Sequence, residues 1–117
     1  MVNSYNFGIK AEALAAEYLR RHKYVIINKR YKTKYGEIDL ITLKDNSIIF
    51  IEIKYRKMLL DAHYALTERQ CKRIINAAQY FFSENENYIN YDCRVDLIIF
   101  NSSFNLKHYE NIISSDN

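Results

Sequence analysis

The hydrophobic pattern of this chain switches between helical and strand periods and outlines an α/β arrangement. Over residues 5–21, Phe7, Ala11, Leu14 and Tyr18 recur at helical spacing. Glu12 falls in the neighbouring row with Gly8, Ala15 and Leu19. It therefore borders the apolar stripe, and the small residues around it predict a helix lying close to a sheet. Tyr24-Val25-Ile26-Ile27 reads as a first strand leading into a basic segment. Residues 36–43 and 48–56 are rich in apolar and β-branched side chains. The second run is apolar on both faces for most of its length, the pattern of a central, buried strand. Residues 58–66 predict a loop or mobile flap. Thr67-x-x-Gln70 is a capping box. It opens a helix with Cys71, Ile74, Ile75, Ala78 and Phe82 on one side and Arg69, Lys72, Arg73 and Asn76 on another. Residues 83–91 form a polar connector, 94–100 a strand with Asp96 as its one acid, and 104–109 a last edge strand. Beyond Ile113 the chain reads as frayed.

Asp39, Glu52 and Lys54 break the strand pattern. Lys44-Asp45-Asn46-Ser47 has turn chemistry, because Asp and Asn tolerate positive φ and bond locally to backbone. A two-residue loop at Asp45-Asn46 makes Leu43 face Ile48, Ile41 face Phe50 and Asp39 face Glu52. Side-chain alternation then places Lys54 on the face of Glu52, opposite Glu37. Two like charges about 5 Å apart repel by roughly 3 kcal/mol at an effective dielectric near 20. Ionisable groups at the end of a buried strand need a partner. Mg²⁺ or Mn²⁺ would be one, since hard cations favour carboxylate oxygen. Neutralisation by Lys54 and Arg56 in an ordinary ion-pair cluster is the other reading of the hairpin alone.

Composition narrows the classes. At 117 residues the chain is expected to form one domain over 1–117; it has no proline, only 2 glycines and no linker-like stretch. Cys71 and Cys93 match no zinc spacing and read as free thiols of a reducing cytosol. His22, His63 and His108 are scattered. No apolar run is long enough for a membrane span or a signal peptide, so the expectation is a cytoplasmic protein. The net charge of +3 says little, but its distribution says more. Lys29, Arg30, Lys32 and Lys34, interleaved with Tyr31 and Tyr35, precede the first acidic strand, and Lys54, Arg56 and Lys57 follow the second. Such cations beside an acidic site suit phosphate contacts, and tyrosines suit stacking on unpaired bases. A merely solvated surface has the same composition.

These residues together resemble a known family. The chain is similar to the uncharacterised bacterial YraN-like or UPF0102 family, within the PD-(D/E)xK restriction-endonuclease-like fold and akin to archaeal Holliday-junction resolvases. The resemblance runs through Gly8-x-x-x-Glu12-x-x-Ala15-x-x-Tyr18-Leu19, Asn28-x-Arg30, Gly36-Glu37-Ile38-Asp39-Leu40-Ile41, Phe50-Ile51-Glu52-Ile53-Lys54-x-Arg56, Lys72 with Ala77-Ala78, and Arg94-Val95-Asp96. Lys23 stands where the family usually has glycine, and Val95 where it has phenylalanine. The resemblance implies an α/β, restriction-endonuclease-like fold with a central mixed β-sheet of about five strands flanked by helices. It implies a metal-dependent nuclease of branched or structured DNA, with Asp39, Glu52 and Glu12 as the Mg²⁺ (or Mn²⁺) site and the Ile53 carbonyl as a further candidate ligand. Lys54 would act on the attacking water or the phosphate, and Glu12 would complete the catalytic set. Arg30, Lys32, Lys34, Arg56, Lys57 and Lys72 would contact nucleic acid, and resolvase-like relatives imply a homodimer. A non-catalytic nucleic-acid-binding module, or an interaction protein of DNA processing, is the alternative with the same fold.

Overall fold

The computed structural model describes residues 4–57 and 66–113. Helix α1 (Ser4–Arg21) is followed by strands β1 (Val25–Thr33), β2 (Gly36–Lys44) and β3 (Ser47–Tyr55). Helix α2 (Glu68–Glu84), a short 3₁₀ turn (Glu86–Tyr88) and strands β4 (Asp92–Phe100) and β5 (Leu106–Tyr109) complete the order. The five strands form one mixed sheet in chain order, with β3 central and parallel to β4; the other pairs are antiparallel. The expected fold class is therefore present. The flap expected over 58–66 and the frayed end after Ile113 lie, but for Leu66, outside the described residues. Among the described residues no helix is long and apolar enough to cross a membrane.

The two helices cover opposite faces of the sheet. Ala11, Ala15 and Leu19 of α1 pack with Leu40, Ile49, Ile51, Ile98 and Phe100. Ile74, Ala77, Ala78 and Phe81 of α2 pack with Ile38, Ile41, Ile48, Phe50 and Val95. The core row of α2 differs from the expected one: Ile75 is exposed, and Ala77 and Phe81 are buried in its place. The helix starts as expected, with Thr67 and Gln70 closing a reciprocal capping box. Of the small residues in the row of Glu12, Ala15 is fully buried against the sheet, whereas among the described residues a Cβ on Gly8 would meet nothing within 4 Å.

The end of α1 accounts for Lys23. Tyr24 N–H donates to Leu19 O at 2.9 Å and Lys23 N–H to Arg20 O at 3.1 Å, and Lys23 takes a φ of 72°. This is a Schellman closure, whose left-handed position is ordinarily glycine.

Strand β1 is longer than expected and includes Lys29, Arg30 and Lys32. Its pairing with β2 runs through Lys29↔Leu40 and Tyr31↔Ile38, with Arg30 between them at a φ of 51°. That conformation is costly for a non-glycine residue and turns a side chain out of the ladder. The β2–β3 hairpin has the expected register from Lys44↔Ser47 to Leu40↔Ile51, where the pairing ends. Asp39 thus sits just beyond one ladder and at the interruption of the other. Residues two apart on a strand normally share a face, yet Ile38 packs in the α2 cluster and Leu40 in the α1 cluster. The backbone of β2 is opened at Asp39.

The far edge of the sheet is held by polar contacts around Asp96, which is fully buried. Its carboxylate accepts two bonds from Arg94 (2.9 and 3.1 Å) and one from the Asn111 N–H (2.9 Å). His108 Nε2 lies 2.8 Å from it, and His108 Nδ1 is 2.9 Å from the Tyr18 hydroxyl on α1. Burial alone would raise the Asp96 pKa; the bonds from His108, Arg94 and Asn111 hold it below the ordinary carboxylate range. Asp96 therefore pairs with Arg94, and it also joins β5 to β4 and α1.

Candidate functional site

A cleft of about 860 Å³ opens between α1 and the ends of β1, β2 and β3. The opened backbone at Asp39 forms its floor. In place of the next ladder bond, Ile53 N–H donates to Asp39 Oδ2 at 2.7 Å. Glu12, Arg30, Lys32, Glu37 and Lys54 line the cleft with Asp39. The left-handed turn at Arg30 aims its guanidinium at α1, where Nε donates to Glu12 Oε2 at 2.9 Å. Glu12 is thereby placed at the cleft by an ion pair.

Glu52 lies at the boundary between this cleft and α2. It is 3% exposed and does not line the cleft among the described residues. Its Oε2 is 3.4 Å from Arg73 Nη2, a long contact, and its Oε1 is buried without a hydrogen-bond partner. Arg73 reaches it across Gly36, whose φ of 139° and missing Cβ leave room for the arginine stem. A side chain there would be strained at that φ, and its Cβ would lie 2.4 Å from Arg73 Cδ and displace the arginine.

Electrostatics tie the two carboxylates together. Burial pushes the Glu52 pKa up to about 7, the charge of Asp39 adds to the rise, and Lys54, Arg73 and the Asp39 N–H oppose it. Burial also raises Asp39, against the Ile53 N–H and Lys54, with Glu37 and Glu12 raising it further. Lys54 thus acts on both acids.

The donor set fits a hard cation in one respect and is sparse in another. Two carboxylates of raised pKa, Asp39 adding to the rise of Glu52 and Glu52 carrying an orphaned buried oxygen, are hard donors that suit Mg²⁺ or Mn²⁺. Among the described residues, however, no three His, Cys, Asp or Glu side chains gather at metal-binding distance. Of the expected set of Asp39, Glu52 and Glu12, Glu12 is held by Arg30 and Glu52 is contacted by Arg73.

The expected basic residues divide. Arg30, Lys32 and Lys54 line the cleft, whereas Lys34, Arg56, Lys57 and Lys72 do not. The Lys34 ammonium stands 5.3 Å over the Tyr35 ring. Tyr31, considered for base stacking, packs inward on Phe81 and Tyr80 instead. Two features had no clear sequence signal. Arg73 sits 21 positions from Glu52, on what reads as a polar helix face, and only its place next to Ile74 hints at an inward path. The aromatic wall of Tyr5, Phe7 and Tyr55 is assembled from opposite ends of the α1–β3 segment.

The raised Glu52 pKa has a consequence for stability. The folded state keeps its proton to a higher pH than the unfolded chain, so ionisation between pH 4.5 and about 7 destabilises the fold. Glu52→Gln removes this penalty. Its stability relative to wild type is expected to rise by about 3 kcal/mol from pH 4.5 to pH 8, the energy of a shift of this size. Urea unfolding at both pH values measures it, and an identical pH dependence in both proteins would contradict the assignment.

Comparison with known proteins gives consistent matches. The family model described as "Uncharacterised protein family UPF0102" matches residues 11–100. A UPF0102 protein of Rhodopseudomonas palustris (strain BisB18) is 42% identical over 98 residues, covering 84% of this chain and 73% of the relative. A UPF0102 protein of Bradyrhizobium diazoefficiens is also 42% identical, covering 84% and 74%. One from Nitrobacter winogradskyi is 38% identical, covering 84% and 83%.

Proposed function

We propose that this chain, which belongs to the uncharacterised protein family UPF0102, is a metal-dependent nuclease that hydrolyses phosphodiester bonds in branched or structured DNA. The observation that carries the reading is the pair Asp39 and Glu52. Both are held at raised pKa at the opened end of a buried hairpin, Glu52 Oε1 has no partner, and Lys54 acts on both. A fold gains little from such a pair unless something else is bound there.

Asp39, Glu52 and the Ile53 carbonyl would hold Mg²⁺ or Mn²⁺. When bound, the ion would supply an activated water and neutralise charge on the phosphate. Lys54 lines the cleft beside Asp39 and offers an ammonium to a phosphate oxygen or to the attacking water. Arg30 and Lys32 add positive charge along the same wall, which positions a phosphate backbone. Arg30 at the same time orients Glu12. A homodimer would bring two such clefts to a junction.

The test is incubation of the purified protein with linear, flapped and four-way DNA in Mg²⁺, Mn²⁺ or EDTA. Cleavage of the flapped or four-way substrate in either metal and none in EDTA is expected; no cleavage under any condition sinks the proposal. The Arg73 contact to Glu52 and the lack of a third convergent carboxylate among the described residues favour one second reading, a nucleic-acid-binding module without cleavage. Metal-independent DNA binding with no product would support it.

A further inference from the structure

Part of the cleft lining is aromatic, from Tyr5, Phe7 and Tyr55. Phe7 sits 4.5 Å from the Phe104 ring in a stacked pair and 5.1 Å from Tyr55 in an edge-to-face pair. The Lys10 ammonium lies over the Phe104 ring at 4.4 Å. Phe7 is braced, while Tyr5 and Tyr55 stay 70% and 46% exposed at the cleft. Tyr55 lies two residues beyond Ile53, whose N–H holds Asp39. The aromatic surface therefore adjoins the acidic pair.

Gly8 supplies an independent observation. Glycine inside a helix is among the most unfavourable choices, because it orders a flexible backbone and packs nothing. The fold gives no reason for it here: its φ is not positive, and a Cβ would meet no atom within 4 Å. Gly8 nevertheless lines the cleft. A bare backbone patch beside exposed aromatic rings is what a flat ligand needs to lie close against the helix.

We infer that this wall receives the unstacked base of an unpaired DNA nucleotide, whose flanking phosphates run along Arg30, Lys32 and Lys54. The inference rests on the nuclease reading and deepens it. Charge complementarity selects the occupant: cations line the same cleft, and base-on-aromatic stacking tolerates any sequence. A fully paired duplex offers no free base face, so the preferred substrate is a strand end, flap or junction with unpaired nucleotides.

The test is fluorescence anisotropy in EDTA, which separates binding from cleavage. The probes are a labelled single-stranded oligonucleotide and the blunt duplex of the same sequence. Wild type is expected to bind the single strand more tightly. Tyr55→Ala and Gly8→Leu should each weaken single-strand binding by roughly tenfold and duplex binding hardly at all, as expected when stacking is lost but phosphate contacts remain. Lys32→Ala should weaken both alike. Among the described residues nothing lies within 4 Å of a Cβ at Gly8, and leucine favours the helix over glycine, so the melting temperature of Gly8→Leu should not fall. Wild-type affinity for the single strand in both Tyr55→Ala and Gly8→Leu, or an equal loss on duplex, overturns the base site and leaves the nuclease reading standing. Failure of wild type to bind either DNA overturns the base site, while the cleavage assay alone decides the nuclease reading.

Discussion

Asp39→Ala and Lys54→Ala are each expected to lower Mg²⁺-dependent cleavage at least about hundredfold, the scale of removing a positioned proton-transfer or charge-stabilising group. Their effects on stability should differ from their effects on rate. Asp39→Ala leaves the Ile53 N–H without its acceptor but also removes a charge that raises the Glu52 pKa. These changes oppose each other, so the variant should fold and melt near wild type. Lys54→Ala removes the charge that lowers both acids, so Asp39 and Glu52 should bind protons still more readily. Its residual activity should therefore shift toward higher pH. Initial rates at saturating Mg²⁺ across a pH series measure both effects. Rates within about threefold of wild type in both variants would assign the cluster to structure.

Asp96→Ala is expected to cost about 3–5 kcal/mol, the range for removing one partner of a buried ion pair. The wild-type carboxylate satisfies Arg94, the Asn111 N–H and His108 with no solvent access. Its loss leaves the Asn111 N–H and His108 Nε2 without that acceptor and Arg94 with only Glu110 and the Tyr24 hydroxyl, which removes the side-chain tie from β4 to β5 and the Asn111 turn. Because the folded pKa of Asp96 is depressed, its contribution is present above the ordinary carboxylate pKa and fades as pH falls below it. Urea unfolding at neutral pH measures the loss, and a change below about 1 kcal/mol would show that the network contributes little.

Much of this fold was legible because its signals are local. The hairpin register follows from one turn, and the pairing runs as expected from Lys44↔Ser47 to Leu40↔Ile51. The capping box at Thr67 and the all-apolar run of β3 likewise act within a few residues. What was not legible depends on contacts distant in sequence. On α2, Ala77 and Phe81 join the expected Ile74 and Ala78 in the core in place of Ile75, Phe81 meeting Phe50 edge-to-face, and Arg73 turns inward to Glu52. In the site, the register readable from the turn reaches Leu40↔Ile51 and stops one pair short of Asp39 and Glu52. The break of alternation at Asp39 was not readable, because it comes from Arg30 leaving the ladder at positive φ. That break puts Asp39 in the α1 cleft while Glu52 stays against α2. The tie from Asp96 to His108 spans the β4–β5 turn and leaves no periodic trace.

The central claim, that Asp39 and Glu52 form a divalent-cation site, is most directly tested by calorimetric titration of Mn²⁺ at pH 7 in buffers of different ionisation enthalpy. With the Glu52 pKa raised to about 7, about half the molecules carry a proton there at this pH, and a cation must displace it from them. Wild type should take up the ion with proton release, and Asp39→Ala and Glu52→Gln should take up none. No uptake by wild type, or unchanged uptake in both variants, would contradict the site.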